Sequence, residues 1–75
     1  MADLRITYGR QSDRAYIYFS EASTQAAESR ICAEVGDPVE VIVDYDQSGV
    51  LLGIEILQAS RLLSRGLLDQ AEEIA

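Results

Sequence analysis

One stretch, residues 39–57, constrains the fold of this chain more than any other. It holds two apolar runs with a period of two residues, separated by Asp46-Gln47-Ser48-Gly49. A period of two places every second side chain on one face of a β-strand, and both runs are rich in β-branched residues, which strands favour. Aspartate at the first turn position and glycine at the fourth are typical of a type I turn. The stretch therefore predicts a β-hairpin.

A four-residue loop is the predicted connection because it keeps apolar side chains paired on one face. It sets Tyr45 opposite Val50 and Val43 opposite Leu52. A three-residue loop would instead set Asp44 opposite Leu52, and a shift of this kind moves side chains to the wrong face of a sheet. Burial therefore favours the four-residue loop.

The same register predicts that Glu40 faces Glu55 on the second face of the hairpin. Facing like charges destabilise a sheet, so an arginine, a cation or a partner is expected beside them. Two facing carboxylates can also separate their pKa values and act as acid and base. The alternative functional hypothesis is therefore a carboxylate-based metal (calcium or magnesium) binder or small enzyme that uses Glu40, Asp44 and Glu55.

The turn also matches the spacing of an EF-hand calcium loop. The oxygen ligands would come from Asp44, Asp46, Ser48 and Glu55, with Gly49 at the bend. EF-hand loops join two helices, whereas strands are predicted on both sides of this turn. A hairpin also carries Glu55 roughly 20 Å along its strand from the turn. We therefore favour the hairpin turn, and no bound metal or other cofactor is expected.

Three earlier segments alternate in the same way and predict strands at residues 3–8, 14–19 and 28–35. In the second of these, Tyr16 and Tyr18 share one face. Adjacent, partly exposed tyrosines suit an interface because the ring buries area while the hydroxyl stays hydrated.

The last segment predicts a helical tail over residues 60–74, with Ser60 as its N-cap and leucines along one face. Gly66 either interrupts this helix or divides it into two. The predicted fold is thus α+β: an antiparallel hairpin meander of four to five strands (residues 3–57), then a C-terminal helix packed on one face. The whole chain, residues 1–75, is expected to form a single domain.

Composition limits the partners. The chain has 75 residues, of which 48% are hydrophobic, and several strands are apolar on both faces. A helix on one face and a second subunit on the other would cover them, so a homodimer is expected. Thirteen acidic residues against six arginines give a net charge of −7. This excess argues against nucleic acid and anionic membranes, and it favours a basic protein partner.

Absent residue types limit the chemistry. The sequence has no histidine, which removes the histidine-dependent triads and the commonest general base. Cys32 is the single cysteine, so no internal disulfide is possible and a reduced cytoplasm is the expected compartment. No apolar run reaches membrane-spanning length. An enzyme is therefore less expected than a binding module.

Two segments carry a family resemblance: D-R-A-Y-I-Y-F at residues 13–19 and, above all, V-D-Y-D-Q-S-G-V-L-L-G-I-E-I-L-Q-A-S at residues 43–60. Together with I-T-Y near the start, they resemble a family of small bacterial proteins of unknown function, domain of unknown function 2283. The resemblance implies a small sheet with a following helix and no established activity. It also implies toxin-like neighbours, and hence an antitoxin-like role.

These observations favour a non-enzymatic protein–protein interaction module. The residues expected to bind the partner are Tyr16, Tyr18, Asp44 and Glu55.

Overall fold

Six strands form one mixed sheet in the computed structural model, which describes residues 4–20, 25–32 and 41–74. The elements in chain order are β1 (Arg5–Gly9), β2 (Arg14–Tyr18), β3 (Glu28–Cys32), β4 (Val41–Tyr45), β5 (Leu51–Leu57), α1 (Ala59–Leu62), α2 (Arg65–Gln70) and β6 (Glu72–Ile74). The alternation of the sequence therefore located the first five strands. A sheet followed by a C-terminal helical segment, as predicted, is confirmed.

The strand order, β3-β4-β5-β2-β1-β6, differs from a meander. A meander would place β3 beside β2, whereas β5 occupies that position and pairs with β2 in antiparallel fashion. The sheet is also not purely antiparallel, because β6 joins β1 in parallel. The prediction of four to five antiparallel strands was therefore wrong in order, number and direction.

The hydrophobic core lies between the helices and the β2–β5 pair. Ala15 is directly opposite Ile56 in the sheet, and both pack with Ala59 of α1. Partly buried hydrophobic side chains surround these three: Tyr8, Ile17, Ile54, Leu63 and Leu68. The strand residues among them share one face, which we call the covered face. Pairing β5 with β2 thus brings the start of the helical segment over the centre of the sheet.

The β4–β5 hairpin turns through three residues, not four. The backbone N–H of Asp46 donates to the carbonyl of Val50 at 2.9 Å, and the N–H of Gly49 donates to the carbonyl of Asp46 at 3.1 Å. Gly49 has φ +83°, a left-handed conformation that glycine adopts without steric cost. The four-residue prediction was wrong because a left-handed glycine closes the shorter loop.

A bulge then restores the apolar pairing that a three-residue loop would otherwise lose. Asp44 and Tyr45 are consecutive, yet they pair with Gly53 and Leu51, so Leu52 is the extra residue. Beyond the bulge, hydrophobic residues face each other again, with Val43 opposite Ile54. The additional residue in β5 shifts the β4–β5 register by one position. The apolar side chains of both strands nevertheless stay on the same face of the sheet.

The helical tail is two short helices. Leu63 is extended, with φ −100° and ψ 147°, and ends α1. Ser64 caps α2, because its side chain accepts a hydrogen bond from the N–H of Leu67 at 3.2 Å. The expected N-cap, Ser60, lies inside α1 instead. Gly66 is a residue of α2, so the division falls before it.

The end of the predicted helix is strand β6. Glu72 pairs with Arg5 at 3.0 Å and Glu73 with Arg10 at 3.5 Å, and both ion pairs are exposed. These two acids would oppose the dipole of a continuing helix, whereas in β6 they neutralise arginines on and beside β1. In the described residues, neither helix has the length or apolar character needed to cross a membrane.

Candidate functional site

The second face of the sheet, which we call the open face, carries no helix within the described part of the chain. Cross-strand pairing places two rows of side chains on it. One row contains Thr7, Tyr16, Glu55, Ile42 and Ile31; the other contains Arg5, Tyr18, Gly53, Asp44 and Ser29. All four residues expected to bind a partner therefore lie on one surface.

Tyr16 lies across β5 and reaches β4. A Cβ atom on Gly53 would overlap Cε1 of Tyr16 and would lie 2.7 Å from its hydroxyl oxygen. The phenol thus occupies space that any other residue at position 53 would fill. Its hydroxyl donates to Oδ2 of Asp44 at 2.6 Å. Partial burial and this hydrogen bond raise the pKa of Tyr16, so the phenol remains a donor well above neutral pH.

Asp44 uses both carboxylate oxygens within the chain. Oδ2 accepts from Tyr16, and Oδ1 accepts from the hydroxyl of Ser29 at 2.6 Å. The carboxylate therefore links β2 and β3 across the intervening strands. Sequence reasoning placed Asp44 on this face but missed Ser29, whose position depends on the β3–β4 register.

Tyr18 extends the arrangement towards the β6 edge. Its ring centroid lies 4.5 Å from that of Tyr16, with the rings tilted by 50°. The guanidinium of Arg5 lies 5.1 Å from the Tyr18 centroid and is itself held by Glu72. Contacts of these kinds stabilise aromatic side chains, so both rings are held in place by residues of their own chain.

Glu55 is the acidic neighbour of this pair. It lies opposite Tyr16 on one side and Ile42 on the other. Its Oε1 is 3.7 Å from Nη1 of Arg14, so the arginine expected near this acid is present. The prediction that Glu55 faces Glu40 was wrong, because the bulge moves Ile42 into that position. Glu40 itself lies outside the described residues.

The calcium-loop pattern has strands, not helices, on both sides of the turn. Oδ1 of Asp46 accepts the N–H groups of Ser48 and Val50 at 2.8 and 2.9 Å and so fixes the turn. Glu55 lies well along β5, beside Arg14. Across residues 4–20, 25–32 and 41–74, no three metal-ligating side chains come together.

A second polar cluster, centred on Asp13, connects the β1–β2 turn to α1. Asp13 has φ +55°, and its carboxylate accepts from the hydroxyls of Tyr8 at 2.8 Å and Ser60 at 2.6 Å. The N–H of Ser60 donates to it at 2.9 Å, and the N–H of Ala59 donates to its carbonyl at 2.9 Å. The N-cap residue of α1, Gln58, makes no side-chain cap hydrogen bond. Asp13, in the β1–β2 turn, takes that role by accepting from the first N–H groups of α1.

The hydrogen bonds from Ser60 hold the pKa of Asp13 below its usual value, with a smaller contribution from Tyr8. The same contact raises the pKa of Tyr8. Sequence reasoning missed this cluster because Asp13 and Ser60 are 47 residues apart. Its role is structural, because the carboxylate accepts three hydrogen bonds from its own chain.

A shallow cleft of about 350 Å³ adjoins Asp13's partners on the helix side. Its charged lining residues are Arg10, Arg65 and Asp69, and Arg10 is paired with Glu73. Positive and negative charges therefore balance in the cleft. The open face, with its fixed tyrosines between two acids, is the stronger candidate for a binding site.

The chain belongs to the family of proteins of unknown function designated DUF2283, whose sequence profile matches residues 5–60. The match covers β1 to the start of α1 and includes every residue of the Tyr16–Asp44–Glu55 arrangement. No curated protein matches the chain. No solved structure matches it either.

Proposed function

We propose that this protein is a non-enzymatic interaction module that binds a basic protein partner through its open face. The observation that carries the proposal is the pair Tyr16 and Tyr18, fixed on that face with Asp44 and Glu55 beside them. The family resemblance implies small toxin-like neighbours, and a basic protein of that kind has suitable chemistry. We expect the two to meet in a bacterial cytoplasm.

The rigidity of the tyrosines supports this role. Ordering a side chain on binding costs free energy, and a side chain already held in place avoids that cost. Tyr16 is held by Asp44 and Tyr18 by the neighbouring ring and Arg5. Tyrosine is also among the residues that most often dominate binding energy at protein interfaces.

The charge of the chain supports a basic partner. A net charge of −7 attracts cations at long range and accelerates association with basic proteins at low salt. At the face itself, Glu55 keeps part of its carboxylate in solvent, with its side chain 30% exposed. An arginine or lysine of the partner can therefore reach it beside the tyrosine rings.

The test uses the purified chain as bait at low ionic strength. Captured proteins are identified by mass spectrometry, and binding is then reconstituted with the purified partner. We expect a basic protein whose Kd rises by about tenfold or more for Tyr18→Ser. Glu55→Gln should raise the Kd less and reduce its salt dependence, because one charge is lost from the interface.

Matched controls lie on the helix side. Leu62→Ser removes an exposed apolar side chain of α1, and Asp69→Asn removes one exposed charge of α2. Both should leave the Kd within about twofold, as surface changes outside an interface usually do. Equal losses for the controls and the open-face variants would overturn the proposal, as would a partner without basic character.

A further inference from the structure

The strand β3 forms one edge of the described sheet. All five of its residues are exposed, and they pair with β4 in regular register without a bulge. An edge strand offers a row of N–H and C=O groups to any further strand. Proteins usually block such edges with charged side chains (lysine above all), proline, bulges or very short strands. E-S-R-I-C has no lysine, proline or bulge, and its two charges, Glu28 and Arg30, are of opposite sign and pair with each other.

The opposite edge contrasts with β3. Strand β6 has only three residues, and two of them are glutamates. Shortness and two charges of the same sign both discourage pairing with a second copy of this strand. Within the described sheet, β3 is therefore the edge suited to pairing.

We propose that β3 pairs in antiparallel fashion with β3 of a second copy, around a two-fold axis at Ser29. This register places Glu28 of each chain opposite Arg30 of the other. Opposite charges on directly facing residues stabilise a pair of strands. Within one chain, Glu28 Oε1 and Arg30 Nε are already 3.1 Å apart, so association would join two ion pairs into a four-charge network.

Neighbouring registers are disfavoured. A two-fold axis normal to the sheet keeps both covered faces on the same side, so residues that face each other must share a face. An axis at Glu28 would place the two Glu28 side chains opposite each other, and an axis at Arg30 would do the same for arginine. Facing like charges destabilise strand pairing. Among these three registers, the charge pattern of β3 therefore favours the axis at Ser29, and in that register β3 is complementary to a second copy of itself.

This inference goes beyond the proposed function and does not depend on it, because it uses the sheet edge and the covered-face residues Glu28 and Arg30. The dimer would align the two open faces on one side of a continuous sheet. Each copy would keep Tyr16 and Tyr18 available to a partner. Dimer formation and partner binding can therefore fail separately.

The first test is mass in solution by light scattering over a range of concentrations. We expect wild type at twice the chain mass of 8.3 kDa. Glu28→Arg alone and Arg30→Glu alone each place like charges opposite one another, and should raise the dimer dissociation constant by roughly tenfold or more. The double variant Glu28→Arg/Arg30→Glu restores the opposite-charge pairs and should recover the dimer.

The second test locates the axis by cross-linking in a Cys32→Ser background. Residues directly opposite in antiparallel strands have Cα atoms about 4.5–5.5 Å apart, which is within disulfide range. Ser29→Cys should therefore form a covalent dimer on mild oxidation. Ile31→Cys is the matched control, since the two copies of residue 31 would be roughly 13 Å apart along the strands.

Three results would overturn the proposal. One is a wild-type chain that stays monomeric at every concentration. Another is a dimer that is unaffected by both single charge reversals. The third is cross-linking that is equal for the Ser29→Cys and Ile31→Cys variants, because the axis would then not lie at Ser29.

Discussion

Gly53 leaves room on the open face for the ring of Tyr16. A side chain at this position would collide with the Tyr16 ring and would place its Cβ 2.7 Å from the carbonyl oxygen of Ile17. Glycine inside a strand is a sequence signal for close approach. The sequence therefore marks position 53 as a place of close approach. It does not reveal that the approaching group is the ring of Tyr16, whose acceptor Asp44 lies two strands away.

We expect Gly53→Ala to destabilise the fold by about 1–3 kcal/mol, as overpacking does, and to break the Tyr16–Asp44 hydrogen bond. Chemical denaturation measures the free energy of unfolding. In a Tyr16→Ala background the ring conflict is absent but the Ile17 conflict remains, so the cost of Gly53→Ala should fall without vanishing. Equal costs in both backgrounds would show that Tyr16 does not lie over Gly53.

Asp13 carries the contact between the first turn and α1. We expect Asp13→Ala to cost about 2–3 kcal/mol, because it leaves Ser60 and Tyr8 without their acceptor and places alanine in a left-handed conformation. Asp13→Asn should cost less, because asparagine tolerates that conformation and keeps an acceptor. Asp69→Ala, an exposed change on α2, should stay within about 0.5 kcal/mol. Thermal and denaturant unfolding compare the three.

The lowered pKa of Asp13 has a defined pH signature. A carboxyl whose folded pKa lies below its unfolded value of about 3.9 stabilises the fold above that pH. The contribution is lost as pH falls through the folded pKa. Unfolding free energies measured from pH 6 down to pH 2 should therefore fall less steeply for Asp13→Asn than for wild type. Parallel curves for the two proteins would show that the Asp13 carboxylate does not cause the loss of stability at low pH.

At the scale of elements, two glycines with open space around them should respond in opposite ways. A Cβ at Gly49 or Gly66 would meet nothing within 4 Å. Gly49 has φ +83°, so Gly49→Ala should destabilise the hairpin by about 1–2 kcal/mol, with Gly49→Asn milder. Gly66 lies in α2, so Gly66→Ala should stabilise by up to about 1 kcal/mol. Melting temperatures that shift in the same direction would contradict this assignment.

The sequence located the first five strands because alternation is a local property. It failed at the turn for a specific reason: burial correctly required Val43 to face an apolar partner, but a bulge at Leu52 satisfies that requirement with the shorter loop. It also failed at Glu72–Ile74, where three residues carry too little pattern to separate a strand from a helix end. Backbone pairing with β1 makes that segment a strand, and exposed ion pairs to Arg5 and Arg10 accompany the pairing.

At the scale of the whole molecule, strand order depends on contacts that no local pattern contains. The pairing of β2 with β5 is supported by Ala15 against Ile56 and Ala59, by Tyr16 across Gly53 and by Asp13 on α1. Each contact joins residues far apart in sequence. The candidate site was predictable as a set of residues on one face, and its internal hydrogen bonds were not.

The core of the described residues is small, and this makes association relevant to stability. Its buried hydrophobic residues are Ala15, Leu52, Ile56 and Ala59, and two of these are alanines. Meanwhile Ile31, on the edge strand β3, is 67% exposed. Small domains that bury little apolar surface are only marginally stable alone, so a second copy should contribute measurably to folding.

We therefore expect the Tm of the wild-type chain to fall by a few degrees for each tenfold dilution, because binding to the folded state stabilises it by mass action. Glu28→Arg should show a lower Tm that depends less on concentration over the same range, since its like-charged edges pair more weakly. Glu28→Arg/Arg30→Glu should regain the wild-type slope. Scanning calorimetry and intrinsic tyrosine fluorescence measure the Tm of each protein over two decades of concentration. A wild-type Tm independent of concentration, together with a folded monomer by light scattering, would show that the small core suffices, and that β3 stays unpaired.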